Sequence, residues 1–170
     1  MEKQSRETLT REFMEMVRAK IITGNLTVAD IEHYTSLGVD INCQDIYKES
    51  VLHTICRSKY TRPEIIKALI KAGADINLKE RSFGRIPLHC AAQQGTHLVI
   101  MALIDAGASV NARDLYKYTP LMYMTKRSRV RRYIIQAVAG PSFLRPFKKN
   151  QRNNIDRFEN VIKDYCEKKI

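Results

Sequence analysis

Two pairs of histidine and cysteine residues have spacings that a metal site could use. His53 and Cys56 lie three positions apart, and His89 directly precedes Cys90. Imidazole and thiolate are usual ligands of zinc, but a structural zinc site needs four of them arranged as a tetrahedron. Spacing alone is a weak indication of a metal ligand, because short pairs of this kind also occur in packed helices. We therefore expect no metal ion and no other cofactor.

Catalytic motifs are absent from the sequence. It contains no G-x-x-x-x-G-K-[ST] phosphate loop, no G-x-S-x-G nucleophile elbow and no H-E-x-x-H zinc-protease helix, the patterns that place reactive groups for those chemistries. His33 and His97 stand singly and resemble ordinary surface or turn residues. The sequence predicts no catalytic residue, and we expect that the protein is not an enzyme.

The segments that carry the histidines are repeated along the chain. Pentapeptides that begin with glycine and end with asparagine recur at intervals of 35 and 34 residues: GVDIN (38–42), GADIN (73–77) and GASVN (107–111). Gly140 follows 33 residues later. A short motif precedes the last three of these glycines: SVLH (50–53), IPLH (86–89) and TPLM (119–122). Between motif and glycine, apolar pairs recur four residues apart, as in Ile65, Ile66, Leu69 and Ile70, which marks one face of a helix.

The period and its motif resemble the ankyrin repeat, a unit of about 33 residues built around T-P-L-H-x-A. The resemblance covers residues 26–140 and implies an all-α solenoid of about four helix-turn-helix layers joined by short hairpin fingers. We predict an ankyrin region over 1–140, with layers at about 7–42, 43–77, 78–111 and 112–140. The first layer lacks the motif, and we expect it to begin with a long helix over about 8–22 whose polar outer face suits the end of a stack.

Departures from the ankyrin pattern give local expectations. Thr119 and Pro120 keep the capping threonine and the first-turn proline of the motif. Val51 replaces the proline and Ile86 replaces the threonine, so we expect those two helices to start more weakly. Two extra residues within RSKYTRP (57–63) predict a bulged turn between two helices.

The resemblance gives the histidine and cysteine pairs a structural role. It implies that His53 and His89 hydrogen-bond to the backbone near the fingers, and that Cys56 and Cys90 fill small or apolar core positions. Four cysteines in a chain of this size suit reduced thiols better than a disulfide framework. We expect no disulfides.

The last part of the chain, 141–170, is predicted to form a separate basic segment. PSFLRPFKKNQRNN (141–154) has the prolines and polar residues of a linker. Beyond it, apolar residues at spacings of 3, 4 and 3 predict an amphipathic helix: Ile155, Phe158, Ile162 and Tyr165. We expect this helix to cap the stack by folding back over the last repeat. The alternative is a helix that docks on a partner.

The positive charge is concentrated towards the C-terminal end. Of the net charge of +11, residues 126–170 contribute +9 and residues 1–125 contribute +2. This basic patch consists of Lys126, Arg127, Arg129, Arg131, Arg132, Lys148, Lys149 and Arg152. Such a field attracts acidic proteins, nucleic acid or anionic lipid. The run KRSRVRR (126–132) could serve as a nuclear-import or phosphate-binding cluster, but such runs are more often solvated helix faces.

The resemblance implies that partners contact the finger tips and the inner face of the first helix of each layer. Aligned layers place apolar and aromatic residues at corresponding finger positions: Ile46, Tyr47, Phe83, Leu115, Tyr116 and Tyr118. Exposed aromatic residues are typical of binding hot spots; the alternative is that each ring packs on its neighbouring finger. On the inner face, the predicted contacts are Arg57, Gln93, Gln94, Lys126 and Arg127, with Arg85 at the rim.

These features favour a non-enzymatic adaptor or inhibitor that binds an intracellular protein with an acidic and apolar surface. Its small size and divergent repeats are similar to those of ankyrin effectors from viruses and intracellular bacteria. The alternative is an electrostatic binder of nucleic acid or anionic membrane through the basic C-terminal region. The polar start MEKQSRETLTREF and the lack of a long apolar run predict no secretory signal and no membrane span, hence a cytoplasmic or nuclear protein. Its oligomeric state is left open.

Overall fold

The computed structural model describes residues 2–124, with side chains from residue 7 onwards. Within that range the chain forms seven helices: α1 (Glu2–Thr23), α2 (Val28–Ser36), α3 (Val51–Cys56), α4 (Pro63–Lys71), α5 (Pro87–Gln94), α6 (His97–Asp105) and α7 (Pro120–Tyr123). The basic patch, the predicted linker and the predicted C-terminal helix lie outside the described residues.

The helices stack in two rows. The first row consists of α1, α3, α5 and α7, each in contact with the next, and the second consists of α2, α4 and α6. Gly38, Gly73 and Gly107 directly follow the C-caps of the second-row helices with φ of +80°, +91° and +92°, the left-handed conformation that favours glycine. Equivalent glycines therefore end equivalent helices, and the predicted all-α solenoid is confirmed. The layer boundaries themselves remain predictions.

The core lies between the two rows. The apolar side chains predicted to line the buried face of the second helices are at most 3% exposed: Ile65, Ile66, Leu69, Val99, Ile100 and Leu103. The first row contributes further fully or almost fully buried side chains: Phe13, Val17, Leu52, Ile55 and Leu88. Each such side chain stabilises the fold by about 1.5–3 kcal/mol relative to an exposed one. Because most of the helix contacts join one layer to the next, the stack is held together mainly between layers.

The first layer starts earlier than expected, since α1 begins at Glu2 and ends at Thr23 rather than spanning about 8–22. The turn into α2 is closed by a reciprocal cap. The Thr27 hydroxyl accepts the backbone N–H of Asp30 at 3.2 Å, and the Asp30 carboxylate accepts the N–H of Thr27 at 2.9 Å, so two helix-start donors are satisfied at once. None of the helices in 2–124 is long and apolar enough to cross a membrane.

The predicted bulge lies between α3 and α4. α3 ends at Cys56 and α4 begins at Pro63, whereas only two residues separate α5 from α6. The Thr61 hydroxyl donates to the carbonyl of Ile55 at 2.7 Å, and Arg62 donates to the carbonyl of Leu26 at 3.1 Å. The extra residues are thus tied to the preceding helix and to the first layer.

The recurring asparagine of the pentapeptide connects successive layers. Asn42 donates from Nδ2 to the carbonyl of Gly73 at 2.9 Å and accepts the N–H of Asp75 on Oδ1 at 2.7 Å. Asn77 likewise accepts the N–H of Ser109 at 2.8 Å. A side chain with both donor and acceptor atoms can satisfy two backbone groups of the neighbouring turn, which explains the asparagine at the end of the first two pentapeptides.

Candidate partner-binding surface

The motif histidines join the start of one helix to the finger of the next layer. His89 is fully buried. Its Nδ1 accepts the backbone N–H of Ile86 at 3.2 Å, and its Nε2 lies 3.0 Å from the carbonyl oxygen of Tyr118. A carbonyl can only accept, so Nε2 carries the proton and the imidazole is neutral. The backbone-bonding role that the family resemblance implied is confirmed.

His53 repeats the arrangement one layer earlier. Its Nδ1 accepts the N–H of Ser50 at 3.3 Å and contacts the Ser50 hydroxyl at 2.9 Å, and its Nε2 lies 3.0 Å from the carbonyl oxygen of Arg85. The helices expected to start weakly at Val51 and Ile86 therefore receive a cap from the histidine ring three residues beyond the N-cap. The sequence analysis missed this cap because it considered only a threonine or serine hydroxyl as the capping group. A weaker start for these helices stays a prediction.

The cysteines of the two pairs lie in the core, as the resemblance implied. Cys56 and Cys90 are at most 1% exposed and unpaired, and Cys43 is also a free thiol. Burial raises the pKa of all three thiols, that of Cys43 to about 11, so they stay protonated and poorly nucleophilic at neutral pH. Across the described part of the chain, no cluster of three or more histidine, cysteine or acidic residues is arranged to hold a metal ion.

Burial of the two histidines predicts a loss of stability at mildly acidic pH. Desolvation lowers the pKa of both His53 and His89, whereas an unfolded histidine titrates near pH 6.5. The unfolded chain therefore takes up protons that the native chain does not, and stability falls as the pH drops through about 6.5. Between pH 7.5 and 5.5 we expect a loss of up to about 1.4 kcal/mol per histidine, measured as the shift in urea unfolding.

Exposed histidines provide the control for this pH dependence. His33 and His97 are both exposed, so changing both to glutamine should leave the difference between pH 7.5 and 5.5 intact. Carboxylates titrate mostly below this window and contribute little to it. Equal stability at the two pH values in the wild-type chain would contradict the assignment of neutral, buried imidazoles.

A carboxylate at the base of each finger holds the finger in shape. The first finger spans 45–49, the second 80–85 and the third 114–118, and a backbone hydrogen bond joins the ends of each. Asp45, Glu80 and Asp114 accept backbone N–H groups within their own fingers at 2.5–3.2 Å. The second finger is one residue longer, and it carries glutamate, whose extra methylene lets the carboxylate reach across the larger loop. The recurrence of an acidic residue in phase was the missed sequence signal.

The finger tips expose the apolar residues that the alignment singled out. The exposed fractions are 81% for Ile46, 58% for Tyr47, 38% for Phe83, 67% for Leu115, 60% for Tyr116 and 51% for Tyr118. Leu115 donates its N–H to the carbonyl of Phe83 at 2.8 Å, and Arg81 donates to that of Tyr47 at 3.0 Å. Neighbouring fingers are thus connected through their backbones, so the tips follow one another along the stack. We call these six residues the finger-tip set.

The aromatic rings of the second and third fingers also pack against each other. The ring centres of Phe83 and Tyr116 lie 6.1 Å apart, and those of Tyr116 and Tyr118 lie 6.4 Å apart. Phe83 and Tyr116 thus contact each other, as the packing alternative predicted, and still present more than a third of their surface to solvent. Their role in binding stays a prediction. Ring packing limits their rotamers, which lowers the entropy cost of binding.

Arg85 is held at the rim by two of these aromatic residues. Its guanidinium carbon lies 4.4 Å from the ring centre of Phe83 and 4.8 Å from that of Tyr123, and Nη1 donates to Oε1 of Gln93 at 3.2 Å. Its Nε is buried without a hydrogen-bond partner in the described residues. Cation–π contacts of this kind contribute about 0.5–2 kcal/mol, so the guanidinium is positioned before any partner arrives.

Tyr123 was not singled out from the sequence, yet it connects several of these groups. Its hydroxyl donates to Oδ2 of Asp114 at 2.5 Å, and its ring lies edge-on to His89 and to Tyr118. Burial acts to raise the pKa of the Asp114 carboxyl, but hydrogen bonds from Tyr123 and from the finger N–H groups lower it overall. Asp114 is therefore ionised at neutral pH and accepts bonds from both the finger and α7.

The predicted inner-face contacts are described only in part. Arg57 does lie at the end of α3 on this face, but it forms an ion pair with Glu49, which offsets its charge. Gln93 and Gln94 are exposed at the end of α5, as expected. Lys126 and Arg127, the other predicted basic contacts, lie outside the described residues. The contacts predicted for the inner face remain predictions.

Comparison with known proteins identifies the family. The family model for ankyrin repeats matches residues 21–114 and 52–140, in three copies. Together these matches cover well over half of the chain, and the chain belongs to the ankyrin repeat family. Ankyrin repeats generally mediate protein–protein interaction, and the family is typically non-enzymatic.

The relatives include animal, viral and fungal proteins. Human ankyrin repeat and SOCS box protein 5 is 31% identical over 109 residues, which cover 64% of this chain and 32% of that protein. A fowlpox virus ankyrin repeat protein is 25% identical over 91 residues, or 54% of this chain and 27% of that protein. The glycerophosphocholine phosphodiesterase gde1 of Schizosaccharomyces pombe is 31% identical over 91 residues, but these make up 8% of that enzyme. The chain thus spans about a third or less of the length of these relatives.

Proposed function

We propose that this chain is a non-enzymatic adaptor or inhibitor that captures an intracellular protein along its finger tips and inner face. The observation that carries the proposal is the finger-tip set, in which large apolar side chains recur at matching positions of three fingers and remain 38–81% exposed. Contiguous exposed apolar surface on a soluble repeat protein is characteristic of interaction sites.

The rigidity of this edge supports binding rather than a purely structural role. Internal carboxylates and finger-to-finger hydrogen bonds fix the backbone of the tips, so little conformational entropy is lost when a partner docks. A role in folding alone does not require the rings to face solvent. Arg85, held between Phe83 and Tyr123 at the same rim, adds a fixed cation that suits a carboxylate of the partner.

The finger-tip set can be tested by replacing Tyr47, Phe83 and Tyr116 together with alanine. We expect capture of bound proteins from a cell extract to fall by more than about tenfold, because truncation of aromatic hot-spot residues commonly costs more than 1 kcal/mol each. The amounts of each bound protein retained by the variant and by the wild-type chain are compared by quantitative mass spectrometry.

Exposed apolar residues outside the fingers provide a matched control. Tyr60 and Leu98 are 56% and 51% exposed, and changing both to alanine removes comparable apolar surface without touching a finger. The control should retain the same proteins as the wild-type chain. If the finger variant also retains them in full, the proposed surface is wrong.

A second candidate function is supported by the charge of residues 126–170, which carry a net +9. This segment would bind nucleic acid or anionic membrane electrostatically. Phosphate binding weakens steeply and log-linearly with salt, whereas a contact with a large apolar component weakens much less. Capture of nucleic acid alone, lost between 50 and 200 mM salt, would favour this second function.

A further inference from the structure

Two finger lysines adopt a backbone conformation that disfavours any residue with a side chain. Lys48 has φ of +55° and Lys117 has φ of +66°, and both directly follow a tip tyrosine. The same place in the second finger is occupied by Gly84, with φ of +67°. Glycine adopts this conformation without steric cost, whereas a Cβ approaches the following carbonyl oxygen. For folding alone, glycine is the better residue at all three places.

The second finger has an additional reason to carry glycine at this place. A Cβ at Gly84 would lie 3.1 Å from Cγ of Leu115, so a side chain there would crowd Leu115 as well as strain the backbone. Lys48 and Lys117 are exposed. Asparagine and aspartate tolerate the left-handed region better than lysine does, yet both fingers carry lysine. The strain is therefore retained together with a long positive side chain, as happens at binding sites.

Within the described part of the chain, the ammonium groups of both lysines lack a hydrogen-bond or ion-pair partner. Among residues 7–124, the hydrogen bonds of Lys48 and Lys117 involve their backbone atoms, and no ion pair includes either of them. Gln44 donates to the Lys48 carbonyl at 2.6 Å, which fixes the backbone and leaves the side chain free. The charge of each lysine is thus available to a partner.

The exposed charged residues of the three fingers are all cationic. The carboxylates of Asp45, Glu80 and Asp114 accept hydrogen bonds inside the fingers, and Glu49 pairs with Arg57. These carboxylates are partly or fully buried, so the charged groups exposed at the finger edge are those of Lys48, Arg81 and Lys117. An edge that alternates cations with apolar side chains complements a chain that alternates carboxylates with apolar side chains.

We propose that Lys48 and Lys117 are specificity-determining contacts for an acidic peptide segment of the partner, in which aspartate or glutamate stands beside leucine or phenylalanine. This inference rests on the proposed function and names the chemistry of its partner. A peptide is favoured over a nucleic acid because Ile46 and Leu115, which stand two residues before the lysines in their fingers, are 81% and 67% exposed. Aliphatic side chains are covered well by a peptide's apolar residues, whereas single-stranded nucleic acid offers mainly rings and phosphates.

The test begins with selection of random 12-residue peptides displayed on phage against the wild-type chain. We expect enriched peptides to be acidic and to contain leucine or phenylalanine. A synthetic peptide of the consensus sequence is then titrated against the wild-type chain and the variant Lys48→Gly with Lys117→Gly. The dissociation constant should rise about tenfold in the variant, while its midpoint of urea unfolding should increase because the backbone strain is relieved.

Loss of binding together with gain of stability distinguishes a contact role from a structural one. The control changes Lys67 and Lys71, exposed lysines of α4, to alanine; it removes the same charge and should leave the dissociation constant unchanged. Enrichment of peptides without acidic residues, an unchanged constant in the glycine variant, or an unchanged unfolding midpoint would overturn the inference. So would displacement of the peptide by a 12-nucleotide single strand at lower concentration than by unlabelled peptide.

Failure of this inference is distinguishable from failure of the proposed function. The same peptide is titrated against the variant with Tyr47, Phe83 and Tyr116 changed to alanine. If the aromatic variant loses binding and the lysine variant does not, the finger surface stands and the role of the lysines is wrong. If neither variant loses binding, the peptide binds elsewhere and both proposals fail.

Discussion

Replacing His89 with alanine is expected to lower the free energy of unfolding by about 3–4 kcal/mol. The imidazole satisfies the N–H of Ile86 and the carbonyl of Tyr118 at once, and it is fully buried. Each buried backbone group left without a partner costs about 1–3 kcal/mol, and the vacated volume adds a cavity cost. Urea unfolding followed by circular dichroism measures the loss.

Two comparisons make the His89 prediction specific. His97 lies exposed at the start of α6, and its replacement by alanine should change stability by less than about 0.5 kcal/mol. In the His89 variant, the amide of Ile86 should also lose protection from hydrogen exchange, since its acceptor is gone. A cost below about 1 kcal/mol would mean that solvent or a rearranged finger replaces both hydrogen bonds.

Replacing Glu80 with alanine is expected to cost about 3 kcal/mol and to loosen the second finger. The carboxylate is 2% exposed and accepts the N–H groups of Ser82, Phe83 and Arg85 at 2.5, 2.8 and 3.2 Å. Charge-assisted hydrogen bonds contribute about 1.5–3 kcal/mol each when buried, although part of that is recovered because the freed N–H groups near the tip can reach water. Chemical denaturation and hydrogen exchange of the three amides provide the measurement.

The length of the Glu80 side chain gives this prediction its sharpest control. The variant Glu80→Asp keeps the charge but shortens the side chain by one methylene in a finger of six residues. Its free energy of unfolding should therefore lie between those of the wild-type chain and Glu80→Ala. Glu32→Ala removes an exposed carboxylate of α2 and should have little effect. An aspartate variant as stable as the wild-type chain would contradict the link between side-chain length and finger size.

His89 and Glu80 both stabilise the fingers that carry the exposed tips, through different contacts. His89 binds the carbonyl of Tyr118 from the layer below, and Glu80 organises the finger that carries Phe83 and Arg85. Both residues lie behind the exposed tips and keep them in position. Loss of either should therefore weaken peptide binding indirectly, through a finger that no longer holds one conformation.

Much of the architecture followed from local patterns in the sequence. The apolar pairs that include Ile65 and Leu69 marked the buried face of α4, and Gly73 marked its end, because helical periodicity and left-handed turns are properties of short segments. The phase of the repeat also identified Tyr47, Phe83 and Tyr116 as equivalent finger positions. Once one layer is assigned, the period determines the place of the others.

The tertiary structure decided which of the polar groups are free to meet a partner. Arg57 appeared as a cation of the inner face, but folding pairs it with Glu49. The sequence indicated Arg85 as a charge at the rim, and folding brings it into contact with the ring of Tyr123, thirty-eight residues further along the chain. The sequence did not single out Lys48 and Lys117, whose positive φ angles are visible only in the structure. Helix patterns are encoded by neighbours in the chain, whereas the pairing of charges depends on side chains brought together from different layers.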